Sequence, residues 1–279
     1  MHGRKEYLGY LEVISLIQSL YRLMIELTNG RLSSFLLRKF ATSRISRLII
    51  PSFVKTYKIN LAETEKSLGD YPTLHDLFVR KLKQDARLTD AHPLSIVSPV
   101  DGVIEDMGEI SNTNEITVKE KTYSIAEMLG NEAVFNKYIE GFYMIIYLSP
   151  SNYHRIHSPA NGEIVNSWKL GTKSYPVNKL GLRFGNRPLS KNYRRITEIK
   201  NEHGHLAVVK VGAMFVNSIE IVHEGEKITK GEELAYFTFG STVVLLFEKG
   251  MFKVNPAIQT PKPISVGQKL GEIGTGLEK

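Results

Sequence analysis

The chain has 279 residues, 42% of them hydrophobic, and its 36 Lys and Arg outnumber 29 Asp and Glu to give a formal charge of +7. That length supports one substantial core with an appendage, in one or two domains. The absence of cysteine excludes disulfides, thiolate nucleophiles and cysteine metal sites, and is compatible with a cytosolic setting. No run approaches the roughly 18 apolar residues of a membrane span, and no secretory leader is visible, so neither secretion nor a transmembrane anchor is expected.

The N-terminal part reads as helical. Tyr10, Val13, Ile14, Ile17, Leu20, Tyr21, Met24 and Leu27 recur at helical spacing and stop at Asn29-Gly30. Leu32, Phe35, Leu36 and Phe40 continue the period, followed by Ile45, Leu48 and Ile49 before Pro51 interrupts it. Between Glu26 and Glu63 there is no acidic residue, whereas Arg31, Arg38, Lys39, Arg44, Arg47, Lys55 and Lys58 all fall there. A basic amphipathic face of this kind suits an anionic bilayer, and periodicity alone fits packing on a core equally well. No finger, recognition helix or aromatic RNA-binding motif accompanies the charge, so nucleic acid is not an expected partner.

From about Val97 the pattern changes to short strands punctuated by Gly, Pro and Asn. Phe142 to Leu148 and Thr242 to Phe247 are continuous apolar runs of strand length, and Leu206 to Val211 and Phe215 to Val222 extend the theme. Lys191 to His205 reads as surface loop and edge strand, and the cluster Asn178 to Asn186 with Pro188 as a mobile connection. Two internal echoes stand out. Pro99-Val-Asp-Gly-Val-Ile is matched by Pro159-Ala-Asn-Gly-Glu-Ile, and Ile228-Thr-Lys-Gly-Glu-Glu-Leu by Ile264-Ser-Val-Gly-Gln-Lys-Leu, each resembling a strand, a glycine turn and a returning strand used twice.

The stretch Tyr236 to Val244 reads as strand, sharp turn and strand, with Phe239-Gly240-Ser241-Thr242 at the turn. Such a step holds a backbone carbonyl near a hydroxyl, although a Gly-Ser-Thr turn by itself also reads as an ordinary β-turn with a solvated serine. It has company in Ser98-Pro99-Val100-Asp101-Gly102 and in Tyr153-His154-Arg155-Ile156-His157-Ser158-Pro159. Serine becomes a nucleophile when an imidazole takes its proton and an Asp on the far ring nitrogen fixes the tautomer. Asp101, His157 and Ser241 suit those roles. Asp101 before Gly102 also reads as a plain turn residue, and the pair His154 and His157 lacks any obvious third or fourth ligand for a metal.

In order and spacing these three motifs resemble those of the phosphatidylserine decarboxylases, which carry Pro-x-Asp-Gly, Tyr-His-Arg-x-His-x-Pro and Leu/Phe-Gly-Ser-Thr. The resemblance extends to Thr73 through Arg80, Ser174 through Asn178, Val211 through Met214 and Asn217 through Ile219, and so covers essentially the whole chain. The resemblance implies a proenzyme in which the Ser241 hydroxyl attacks the Gly240 carbonyl, converts the peptide to an ester and releases two pieces, 1–240 and 241–279. The pieces would part as the Ser241 α-proton is lost and the upstream carboxylate leaves, and the resulting dehydroalanine would hydrolyse to ammonia and an N-terminal pyruvoyl group, the sole cofactor, with no metal. That ketone would form a Schiff base with phosphatidylserine and accept the electrons released with carbon dioxide, leaving phosphatidylethanolamine. Asp101 and His157 would activate Ser241, and His154 would return a proton to the substrate α-carbon.

The expected fold class is α+β: an N-terminal helical, membrane-associating region over 1–89, then an antiparallel β sandwich or barrel over 90–279 resembling the biotinyl/lipoyl-like barrel-sandwich hybrid. The expected partners are phosphatidylserine in an anionic membrane surface, the second cleavage product in a heterodimer, and further copies in a homo-oligomer. The expected location is the cytoplasmic side of the cell membrane, peripherally bound. A serine hydrolase and a non-catalytic barrel-sandwich module are the rival classes, and Ser241 lacks the Gly-x-Ser-x-Gly elbow of the first. His75, His92 and His223 have no catalytic motif to support them, and His203 and His205 read as solvated.

Overall fold

A computed structural model of the chain describes residues 31–118, 121–130, 132–177, 181–182, 186–213, 219–238 and 241–274. The helical period expected over Tyr10 to Leu27 lies outside the described residues, as do Phe239, Gly240 and most of the Asn178 to Asn186 cluster.

The described N-terminal part is helical. Helix α1 (Arg31–Ala41) leads through a 3-10 turn at Arg44–Ile49 into α2 (Ile50–Tyr57), with α3 (Leu74–Phe78) following. Pro51 does not end the pattern: it occupies the first turn of α2, where a missing N–H leaves no bond unmade. Thr73 caps α3 by accepting from the Asp76 amide at 3.1 Å. The buried Ser46 hydroxyl accepts from the Leu74 amide at 2.9 Å and so ties the 3-10 turn to α3. Ile50, Ile59, Tyr71, Leu74 and Leu77 form a small apolar cluster of their own.

The remainder is mostly strand: β1 (Ser95–Val97), β2 (Gly102–Glu109), β3 (Glu115–Val118), β4 (Lys121–Ser124), β5 (Phe142–Leu148), β6 (Arg155–His157), β7 (Gly162–Leu170) and β8 (Arg194–Asn201) come first. They are followed by β9 (Gly204–Gly212), β10 (Ile219–Ile221), β11 (Lys227–Ile228), β12 (Glu233–Phe237), β13 (Ser241–Phe247), β14 (Phe252–Val254), β15 (Lys262–Ile264) and β16 (Lys269–Ile273). Eight of them form one open sheet in the order β11-β7-β8-β9-β13-β5-β2-β15, beside two three-stranded sheets, β1-β16-β14 and β10-β12-β6, and the β3-β4 hairpin. All named pairings are antiparallel.

Alternation along β13 shows why both faces of the large sheet are covered. Val243, Leu245 and Phe247 pack with Ile156, Ala235, Phe237 and Leu270 of the small sheets. Val244 and Leu246 face the other way, onto Ile116, Tyr123 and the short helix α4 (Ile125–Leu129). The architecture is thus α+β, with two small sheets sandwiched on a large one and no closed barrel among the described residues.

Both sequence echoes are structural repeats. Ser98 and Ser158 donate their hydroxyls to the carbonyls of Val100 and Ala160, each at 2.7 Å. The two copies clasp reciprocally, the Val97 amide donating to Pro159 and the His157 amide to Pro99. Gly231 and Gly267 turn at φ 83 and 81, a left-handed conformation that favours glycine, and their amides donate to Ser158 and Ser98. Strand β1 pairs with β16 as β6 pairs with β12.

A second sequence expectation is also overturned. Lys191 to His205 is neither loop nor edge for most of its length: β8 lies inside the large sheet between β7 and β9. Its polar residues disguised it. Glu198 is fully buried, yet receives hydrogen bonds from Lys137 at 3.0 Å, Tyr138 at 3.1 Å and Asn166 at 2.6 Å. Buried Arg194 commits Nε, Nη1 and Nη2 to the carbonyls of Met128, Asn192 and Glu127.

Candidate active site

Ser241 is the first residue of β13. It stands opposite Leu148 of β5 on one side and Gly212 of β9 on the other, so the sheet fixes its backbone from both edges. Period-two alternation puts its side chain on the face of Val243 and Leu245, towards the small sheets. The hydroxyl is fully buried and has no hydrogen-bond partner among the described residues. Such an orphan costs about 1–3 kcal/mol and calls for an explanation beyond folding. The preceding strand, β12, belongs to a different sheet.

Buried Asn192 braces the same corner. Its side-chain amide donates to the carbonyls of Tyr175 and Gly212, each at 2.7 Å, and its oxygen accepts from the Tyr175 amide at 2.8 Å. The Ser174-Tyr175 motif is thereby fastened to the residue directly across from Ser241.

His154 and His157 occupy different environments. His154 is fully buried, its ring 4.0 Å from the Phe78 ring centre to centre. Its Nδ1–H donates to the Asn152 carbonyl at 2.9 Å, which leaves Nε2 as a lone-pair site, without a partner among the described residues. Burial, helped by the nearby Arg80 charge, pushes its pKa down to about 3 against the opposing Asn152 hydrogen bond. His157 ends the extended strand β6. Its Nδ1–H donates to the Gly231 carbonyl at 2.8 Å, and Nε2 accepts from the Tyr153 hydroxyl at 3.1 Å. Burial also holds His157 below its ordinary pKa, offset by the Gly231 bond and by Glu233.

Asp101 lies beside His157 through the Pro99 carbonyl, which accepts from the His157 amide at 2.8 Å. Its carboxylate is nevertheless held elsewhere. Arg87 grips it through Nε at 2.9 Å and Nη2 at 2.5 Å, and the Val266 amide donates to Oδ1 at 2.9 Å. Arg87 also reaches Glu63 at 3.0 Å, and its own pKa is raised by these carboxylates. The tautomer of His157 is therefore set by the Gly231 carbonyl, where the sequence expectation had an Asp side chain. Asp101 acts on His157 through space, favouring its charged form.

Sequence reasoning did not single out Arg87, Gly231, Asn192 or the Tyr153 hydroxyl as partners. Gly231 was visible as the repeated glycine turn, but a backbone carbonyl leaves no trace of its aim in a sequence. Of the other histidines, His205 pairs with Glu248 at 2.8 Å and His223 with Glu232 at 2.9 Å. Among the described residues no group of three or more His, Asp or Glu is arranged to hold a metal ion.

The sheet-bound serine with an unmatched, buried hydroxyl defines a candidate self-processing or acyl-attacking centre. Sequence comparison narrows the class. The signature of the phosphatidylserine decarboxylase family matches residues 74–272. The chain is 61% identical over 252 residues to the phosphatidylserine decarboxylase proenzyme of Geobacillus kaustophilus, covering 90% of this chain and 96% of that one. It is 56% identical over 253 residues to the proenzymes of Bacillus mycoides and Bacillus cereus, covering 91% of this chain and 97% of theirs. The chain belongs to the phosphatidylserine decarboxylase family.

Proposed function

We propose that the chain is a proenzyme that cuts itself between Gly240 and Ser241 and then decarboxylates phosphatidylserine to phosphatidylethanolamine and carbon dioxide. Family membership supports the reaction, and the observation that carries the cleavage site is the buried, unpaired Ser241 hydroxyl at the start of a doubly clamped strand. That hydroxyl attacks the Gly240 carbonyl carbon while its proton passes to an imidazole, which returns it to the Ser241 nitrogen as the Gly240–Ser241 C–N bond breaks and an ester replaces the amide. His157 takes the proton at Nε2 in place of the Tyr153 hydroxyl bond accepted there, the Gly231 carbonyl keeps Nδ1–H in place, and Glu233 and Asp101 favour the imidazolium through space.

Residue 241 suits a pyruvoyl group: it is excluded from water and clamped between two strands. When formed there, that group supplies an electron sink for loss of carbon dioxide. His154 carries a lone pair at Nε2 near neutrality, so it collects a proton before delivering one to the substrate α-carbon. Asn152 holds Nδ1–H during both events.

The two pieces stay together because β13 of the shorter piece runs between β5 and β9 of the longer one. We assign residues 1–89 to membrane association and 90–279 to catalysis. Phe35, Leu36, Ile45 and Leu48 are 54%, 58%, 68% and 82% exposed beside Arg38, Lys39 and Arg44, which supports peripheral binding to anionic lipid at the cytoplasmic face of the cell membrane. Among the described residues no helix is long and apolar enough to cross a membrane. Ser241→Ala tests the assignment: the variant should remain one chain without activity, and a variant still found as two pieces would overturn it.

A further inference from the structure

A cleft of about 270 Å³ opens where the segment around α3 meets β6, and its charged lining is Glu65, Lys66, Asp76, Arg80, Lys81 and Arg155. Two of these are already engaged. Arg155 pairs with Glu233, and Asp76 Oδ2 accepts from the Thr73 hydroxyl at 2.6 Å. Arg80 is different. It is only 5% exposed, and all its hydrogen bonds go to neutral carbonyls: Leu77 at 3.4 Å, Ser151 at 2.8 Å and Asn152 at 3.0 Å. Its Nε is buried without a partner. No carboxylate among the described residues hydrogen-bonds it; Asp101 acts on it only at a distance.

Buried Arg194 gives the contrast, because all three of its nitrogens are engaged. A buried guanidinium with a free N–H at a cleft, flanked by exposed Lys66 and Lys81, lacks an anion. The planar donor set of Arg suits a phosphate oxygen pair. The cleft is also joined to His154. The Asn152 carbonyl accepts from both Arg80 Nη2 and His154 Nδ1, and Phe78, just before this segment's Val79-Arg80, packs at a tilt against the His154 ring.

Resting on the function proposed above, we propose that this cleft binds the phosphodiester of the phospholipid head group, with Arg80 as its charge partner and Lys66 and Lys81 at its rim. The ligand class is a phosphate ester.

Titration calorimetry on the full-length Ser241→Ala chain separates binding from catalysis. Glycerophosphoserine should bind, inorganic phosphate should compete with it, and free serine should do neither. Arg80→Gln should weaken glycerophosphoserine at least about tenfold, and the exposed pair Lys66→Gln with Lys81→Gln about threefold. The rim pair keeps the test valid if Arg80→Gln does not fold. In the processed enzyme the rim pair should raise KM for short-chain phosphatidylserine and leave kcat unchanged. Unaltered glycerophosphoserine affinity in the rim pair, or phosphate binding without glycerophosphoserine binding, would overturn the proposal. Failure of self-cleavage would leave the binding result intact, so the two readings fail separately.

Discussion

Asp101 and Asn161 are counterparts across the internal repeat: Asp101 Oδ1 accepts from the Val266 amide at 2.9 Å, and Asn161 Oδ1 accepts from the Lys230 amide at 2.8 Å. The turn thus needs a side-chain carbonyl oxygen at each place, and only one place uses a carboxylate. The charge at Asp101 is what Arg87 binds and what His157 senses. Asp101→Asn should preserve the turn and the fold, as Asn161 shows is chemically feasible, while slowing conversion of one chain to two at least about tenfold. Gel-based cleavage kinetics with circular dichroism on the same samples would check both halves, and cutting at the parent's rate would remove Asp101 from the machinery.

His154 should make the folded protein sensitive to acid. Its folded pKa of about 3 lies below the usual 6.5, so between those values the unfolded chain binds a proton that the folded chain refuses. The stabilisation is present above about 6.5 and declines as pH falls through that window, by up to about 1.4 kcal/mol per pH unit for one proton. His154→Gln should flatten the fall in denaturant midpoint between pH 7 and pH 4. The same variant should still process but fail to release phosphatidylethanolamine, because proton return is lost while Ser241 activation is kept. Complete absence of cutting in a folded His154→Gln chain would move this residue into the maturation step.

Lys210 is a stability liability built into the large sheet. It is fully buried, its Nζ hydrogen-bonds among the described residues to the Thr197 hydroxyl at 2.7 Å and the Val208 carbonyl at 3.3 Å, and burial with help from Arg195 drives its pKa well below 10.5. The unfolded chain binds this proton more readily, so stability rises with pH towards 10.5. Lys210→Met should stabilise the fold by about 1–3 kcal/mol near neutrality and reduce that pH dependence. Chemical denaturation at pH 7 and pH 9 would show both effects; a destabilised Met variant would contradict them.

The exposed basic face should govern access to bilayers and leave the chemistry alone. Reversing Arg38, Lys39 and Arg44 to Glu should lower sedimentation with anionic vesicles and activity on bilayer phosphatidylserine, while activity on dispersed short-chain substrate survives. Arg47 is left in place because it donates to the Gly69 carbonyl at 2.8 Å. Binding of the parent should weaken with salt, as charges are screened beyond about 8 Å at physiological ionic strength. Equal sedimentation of parent and variant would refute an interfacial role.

Much of this fold was legible in the sequence because its signals are local. Phe142 to Leu148 is an unbroken apolar run and forms β5 with the same ends, and the paired glycine turns at Gly231 and Gly267 announce the repeat. Strand β8 was not legible, since Glu198 and Arg194 look solvated until partners distant in sequence, such as Lys137 and Met128, are brought to them. At the site, the motifs name Asp101, His154, His157 and Ser241 but not their contacts. Arg87 meets Asp101 across 14 residues and Gly231 meets His157 across 74, and no spacing rule reports such a meeting.

Intact mass of the purified full-length protein tests the central claim most directly. The account expects two species, one ending at Gly240 and one running from residue 241 to Lys279 with a blocked, ketone-bearing N-terminus. A single unmodified chain of 31.5 kDa in a folded preparation, with Ser241 intact, would contradict it.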